Sequence, residues 1–220
     1  MTIFRAIVLS IVLVMSGALA QAQNSLALII ANQDYKILRD ARDAFRATEV
    51  EADLQAAGFE VRVIRDLDSA TLARMAPGLR RDIQAAERVL IFVSGHIVSN
   101  GRESWLLTTD ARRDDVMLTG AYGLPIGDLL DLLGQKPGAG LLLAARSDAT
   151  PRLVEGLSYG LQSGVIPQGV AVFSGAPGDL VKLLRGGLLD PGSSIGAAAG
   201  SAPRGVTAAG FLPPSLPFVP

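Results

Sequence analysis

Few residues in this 220-residue chain could do covalent or acid–base chemistry, and the shortage is informative. There is no cysteine and a single histidine, His96. Without cysteine, disulfides, thiolate metal sites, iron–sulfur clusters and a thiol nucleophile are excluded. One histidine excludes every multi-histidine metal centre. His96 itself ends the run Phe92-Val93-Ser94-Gly95-His96, directly after a buried apolar stretch. A lone histidine is most often structural, but this one stands where a functional or formerly functional role is equally expected, because ligands and chemistry gather at the carboxyl ends of strands in parallel α/β sheets.

Other candidates are weaker. Gly192-Ser193-Ser194-Ile195-Gly196 matches the GxSxG nucleophile elbow, but no good strand precedes it and His96 lies on the wrong side in the chain. Asp66 with Asp68, and Asp114 with Asp115, fall in polar clusters and are expected to cap helices or face water. Arg80-Arg81 and Arg112-Arg113 read as solvated faces. No phosphate-binding glycine loop occurs, and no cofactor is expected. Twenty Lys and Arg against 21 Asp and Glu leave a formal charge of −1, which argues against a nucleic-acid partner.

The elements that must position His96 follow from hydropathy. Leu26 to Ala31, Val89 to Val93, Gly140 to Ala144 and Val170 to Phe173 are continuous apolar runs, expected as strands buried on both faces. Phe59 to Ile64 alternates and supplies another, and Trp105 to Thr109 is expected as a short edge strand. Helical stripes lie between them: Ala47, Val50, Leu54, Ala57; Leu72, Met75, Leu79, Ile83; and Ile126, Leu129, Leu130, Leu133. Pro77-Gly78 is expected to break the second, either into two pieces or into a loop with a helix over 79–86. The alternation predicts an α/β fold, a mostly parallel sheet of about six strands with helices on both faces, over residues 24–190. Residues 191–220, rich in Gly, Ala, Ser and Pro, are expected to form an irregular tail. At the other end, Arg5, the apolar run Ala6 to Met15 and Ala18-Leu19-Ala20 match a secretory signal peptide over residues 1–20. The run is short for a bilayer span, so no stable span is expected after cleavage following Ala20 and the mature chain should be secreted or periplasmic; the alternative is an uncleaved N-terminal anchor.

In this order the motifs resemble the caspase-like cysteine peptidases, in the branch of the metacaspases and bacterial caspase domains. LALIIANQDY (26–35) resembles the family's opening strand and turn, and Ala57-Gly58-Phe59-Glu60-Val61 the end of its first helix and its second strand. IFVSGHIV (91–98) is similar to the strand that delivers the catalytic histidine, and WLLTTDA (105–111) to the stretch after it. LLLAARS (141–147) falls where the family carries its nucleophile strand, and VFSGAPG (172–178) resembles a later strand and loop. Together these cover about residues 26–180.

The resemblance implies a caspase-like three-layer sandwich, with His96 as the catalytic base and the nucleophile about 50 residues later. Forty-nine residues on stands Ala145, between Ala144 and Arg146. Leu143 replaces the acidic or amide residue before it, and Ile97 replaces the glycine whose N–H would support the oxyanion. An alanine methyl cannot attack a carbonyl, so the chain reads as an exported caspase-like pseudopeptidase that binds a peptide or protein without cutting it. The alternative is an active endopeptidase using Ser147 as a substitute nucleophile with His96, with Asp148 orienting the ring. A third reading is a decaying product with no selected role. Asp40 or Asp43 could lie near the specificity loop, or simply on a helix's wet face. If the site is otherwise preserved, Ala145→Cys is expected to restore thiol reactivity.

Overall fold

A computed structural model describes residues 24–112, 120–150, 152–162 and 164–219. The signal-peptide segment, Arg113, Asp114 and Asp115 lie outside the described residues.

Each long apolar run becomes a strand. β1 (Ser25–Ala31) pairs in parallel with β2 (Glu60–Arg65) on one side and β3 (Arg88–Gly95) on the other. β3 pairs in parallel with β7 (Gly140–Arg146), and β7 with β9 (Val170–Gly175). β1, β3 and β7 are central, so both of their faces must be apolar, and their continuous hydrophobic runs satisfy that demand. Antiparallel β10 (Thr207–Gly210) completes the six-stranded order β10-β9-β7-β3-β1-β2.

Helices cover both faces. On one lie a 3-10 segment (Ala44–Val50) running into α1 (Glu51–Ala56), then α4 (Pro177–Leu183) and α5 (Ile195–Gly200). They bury Ala47, Leu54, Leu180 and Ile195 against Ile29, Phe92, Leu143 and Phe173. On the other lie α2 (Ser69–Ala85) and α3 (Ile126–Gly134), which set Ile83, Leu129 and Leu133 against Leu28, Ile91 and Leu142.

Trp105 and its neighbours do not edge this sheet. β5 (Ser104–Leu107) belongs to a small antiparallel sheet with β4 (Ile97–Ser99), β6 (Gly123–Pro125) and β8 (Ser158–Tyr159), in the order β6-β5-β4-β8. Ile97 turns the chain out of β3 immediately after His96, and four residues after β4 the chain returns as β5. The main sheet has no room for that hairpin, because β3 already lies between β1 and β7.

Two expectations are corrected. Helix α2 runs unbroken through Pro77. Asp68 caps its start by accepting the Thr71 N–H at 2.8 Å, and Ile83 near its end is fully buried, so both ends are anchored and one missing hydrogen bond is tolerated. Replacing Pro77 with Ala should therefore raise stability by about 2 kcal/mol in urea unfolding, the interior proline cost less its entropic benefit in the unfolded chain. No gain would show that the helix is already bent to accommodate the ring.

The segment 191–219 is also ordered into the same core rather than an irregular tail. Ser194 is a helix cap, not a nucleophile: its Oγ accepts the Ala197 N–H at 3.0 Å. The Ala-rich stretch behind it is strongly helix-forming, and Ile195 and Ala198 anchor it. Gly196 allows the returning chain to close over the helix, since a Cβ there would lie 2.9 Å from the Pro213 carbonyl. Phe218, fully buried, stacks on Phe59 with centroids 5.8 Å apart. No described helix is long and apolar enough to cross a membrane.

Candidate functional site

The site lies at the carboxyl ends of β3 and β7. Ala145 is paired with Ser94 on β3 and with Gly175 on β9, and its methyl is wholly buried in the core beneath the 3-10 segment. His96 is two residues beyond Ser94. His96 follows the last residue of β3, and Ala145 is the penultimate residue of β7, so both stand at adjoining strand ends.

His96 is held on every side. Its peptide N–H donates to the Tyr35 hydroxyl at 3.0 Å, and that hydroxyl donates to the Leu107 carbonyl at 3.2 Å. The Tyr35 ring lies against the imidazole, centroids 4.4 Å apart. His96 Nε2 meets the Arg39 carbonyl at 2.6 Å. A carbonyl only accepts, so Nε2 carries the proton and the neutral ring keeps its lone pair on Nδ1. That tautomer is able to act as a base. The ring is, however, only 1% exposed.

Asn32 completes the clamp, with Nδ2 donating to the Leu107 carbonyl at 2.8 Å and Oδ1 accepting the Leu67 N–H at 2.9 Å. Neither Asn32, Tyr35 nor Arg39 was singled out by sequence reasoning. The first two stand in the LALIIANQDY stretch that carries the resemblance, which was the available signal; Arg39 acts through its backbone and left none.

Burial lowers the imidazole pKa, opposed by the Arg39 carbonyl and by the charges of Asp43 and Asp40. Folded His96 therefore binds its proton at lower pH than the unfolded chain, whose value is near 6.5. Below about pH 6.5 the unfolded state holds more protons, so this group's contribution to stability falls as pH drops toward the folded value. Any stability advantage of the native chain over His96→Gln should be constant above about pH 7 and shrink below 6.5, by up to about 1.4 kcal/mol per pH unit. Parallel pH profiles for the two proteins would contradict the assignment.

Ser147 is committed elsewhere. Its Oγ–H donates to the Asp43 carboxylate, its lone pair accepts the Ala149 N–H at 3.1 Å, and its own N–H donates to the Gly95 carbonyl at 3.0 Å. It is 2% exposed. The hydroxyl proton thus faces a carboxylate rather than the imidazole, and the residue works as a turn cap. Asp148 does not orient the histidine either; its N–H donates to Asp43 at 3.0 Å, while the Arg39 carbonyl holds Nε2. Ile97 is buried in the opposite core, and Arg146 is exposed. Asp66 is exposed, as expected, and also staples the turn after β1 by accepting the N–H groups of Gln33 and Asp34 at 2.8 and 2.9 Å.

Beside the buried centre the surface opens into a cleft of about 450 Å³ lined by Arg39, Asp40, Arg42, Asp43, Asp148 and Ala149. Asp40 and Asp43 thus share one cleft wall, although each also ties down backbone: Asp40 accepts the Tyr35 N–H at 3.2 Å.

No family model and no curated protein matches this sequence. Solved structures do. The caspase-1 of Spodoptera frugiperda superposes with a TM-score of 0.56 at 14% identity, covering 89% of this chain and 92% of that one. The pro-form of that caspase gives 0.54 at 13% identity, over 90% and 91%. The Drosophila initiator caspase Dronc gives 0.55 at 9% identity, over 87% and 81%. The fold is that of a caspase. At such identities the likeness concerns architecture, and a caspase-like architecture with no cysteine in the chain is consistent with an inactive caspase-like protein.

Proposed function

We propose that this chain is an exported caspase-like pseudopeptidase that binds a peptide or protein segment without cleaving it. One observation carries the reading: at the strand end next to His96, the position expected for the nucleophile is a fully buried alanine. Removing the nucleophile of a serine protease costs on the order of 10⁶ in turnover, which leaves nothing useful. Ser147 offers no ready replacement, since its hydroxyl donates to the Asp43 carboxylate rather than to His96. One open space at this end is the cleft floored by Arg39, Asp40, Arg42, Asp43 and Asp148, and it suits a polar segment of mixed charge. The signal-like residues 1–20 support export.

The test is retention of peptides from a random library by the tagged mature chain, with eluted peptides sequenced by mass spectrometry. Enrichment of intact peptides, reduced by Arg39→Glu with Arg42→Glu, is the expected result. Shortened peptides would favour an enzyme, and no enrichment would remove the binding role.

A further inference from the structure

We propose that the outer edge of β2 is a docking strand for an extended acidic segment of a partner protein, which joins the main sheet as an additional strand. This surface is separate from the His96 centre, being two strands away from β3 in the sheet order.

Backbone direction comes first. The Asp66 N–H donates to the Ala31 carbonyl at 3.0 Å, so Asp66 faces β1. Successive residues of a strand face opposite sides along the hydrogen-bonding direction, so Glu60, Arg62 and Ile64 also turn their peptide groups toward β1. Val61, Val63 and Arg65 then turn theirs outward, where no described strand pairs with them. Edge strands are usually blunted by proline, bulges, charged side chains or a covering element, and of these β2 carries, among the described residues, only charges, at Glu60, Arg62 and Arg65. β2 has six residues, Glu60–Arg65, with no proline among them, and keeps a continuous register with β1.

Recesses flank this edge on both faces. On the α2 side a recess of about 530 Å³ is lined by Arg62, Ile64, Arg74, Met75, Leu79 and Arg81, among others. On the opposite side, near the carboxyl end of β2, one of about 290 Å³ is lined by Phe45, Thr48, Arg65 and Asp66, among others, with Phe45 half exposed and the Asp66 carboxylate taken up by the Gln33 and Asp34 N–H groups. An added strand would send alternate side chains to alternate faces, and so into the two recesses in turn. In strand addition, main-chain bonds supply affinity and such pockets supply selectivity.

Charge selects the partner. Glu60 and Asp82 are both engaged by Arg62. Arg65, Arg74, Arg80 and Arg81 are exposed and have no carboxylate partner among the described residues. Arg74 donates to the Thr71 hydroxyl at 3.0 Å and Arg81 to the Pro77 carbonyl at 3.3 Å, neither of which neutralises a charge. Three of these, Arg65, Arg74 and Arg81, line the recesses at this edge, in a chain whose formal charge is −1. A second copy would bring a like-charged edge to the same place, so an acidic segment is the better fit.

The probe is a fluorescein-labelled peptide of about eight residues alternating Glu with Val, and the control replaces each Glu with Lys. The Glu peptide should bind, weaken as salt is raised, and slow amide exchange at Val63 and Arg65 by at least about tenfold. The Lys peptide should not bind. Arg74→Glu with Arg81→Glu should weaken binding by about tenfold or more, as two lost ion pairs at a recess predict. Val63→Pro removes an outward N–H while leaving the β1 ladder intact, and should abolish binding with an unchanged far-UV spectrum. If that variant does not fold, the arginine pair decides. Equal binding of both peptides, no binding of the Glu peptide, protection elsewhere than β2, or a peptide-free dimer that buries β2 would each overturn the proposal.

Discussion

A cysteine introduced by Ala145→Cys should be unreactive in the native protein, alkylated at least about 100-fold more slowly than a free thiol. From the sequence, this substitution is expected to restore reactivity only if the rest of the site is preserved. The structure shows that it is not open: Ala145 has no exposed surface and His96 is 1% exposed. A thiol at this position would lie across from Ser94 and Gly175 and against the core beneath the 3-10 segment. Apolar burial raises a thiol pKa and starves it of thiolate, so both ionisation and access oppose reaction. Because the chain has no other cysteine, labelling by a peptide chloromethyl ketone reads this one site. Urea should restore full labelling. Rapid native labelling that disappears on adding His96→Gln would show instead a working base beside an open position.

The largest loss of stability should come from Gly95→Ala, about 4 kcal/mol in denaturant unfolding. Gly95 has φ of 145°, a region that side-chain-bearing residues rarely adopt. An added Cβ would lie 2.8 Å from the Tyr35 hydroxyl and 3.0 Å from the Asn32 carbonyl. Neither can retreat cheaply, because Tyr35 Oη bridges His96 and Leu107 while the Asn32 side chain holds Leu67 and Leu107. Backbone strain and steric overlap each contribute roughly 1–3 kcal/mol. The variant should also move His96, visible as a changed imidazole NMR signal. A Gly95→Ala protein of native stability would mean that the turn into His96 is looser than its hydrogen bonds indicate.

The central strands were legible because burial on both faces leaves a strand few polar positions: residues 26–31, 89–93 and 141–145 are uninterrupted apolar runs within β1, β3 and β7. The position of His96 at a strand end followed directly. What escaped were features whose cause lies far along the chain. Helix α4 begins Pro177-Gly178, which reads as a loop, although Pro at the first turn is well placed. The tail's composition suggested irregularity, but Ala favours helix and Phe218 had a buried place waiting beside Phe59. In the site, the Ser147–Asp43 bond spans 104 positions and the His96–Arg39 contact 57. No local pattern announces a backbone carbonyl as the partner of a ring nitrogen.

The account's central claim is that a buried methyl and a diverted serine leave His96 with nothing to activate. The most direct measurement is incubation of the purified protein with an unfolded protein such as reduced casein, counting new peptide termini by mass spectrometry beside a His96→Gln control. The account predicts no termini above those of the control at any pH from 5 to 8. New termini that vanish with His96→Gln would contradict it.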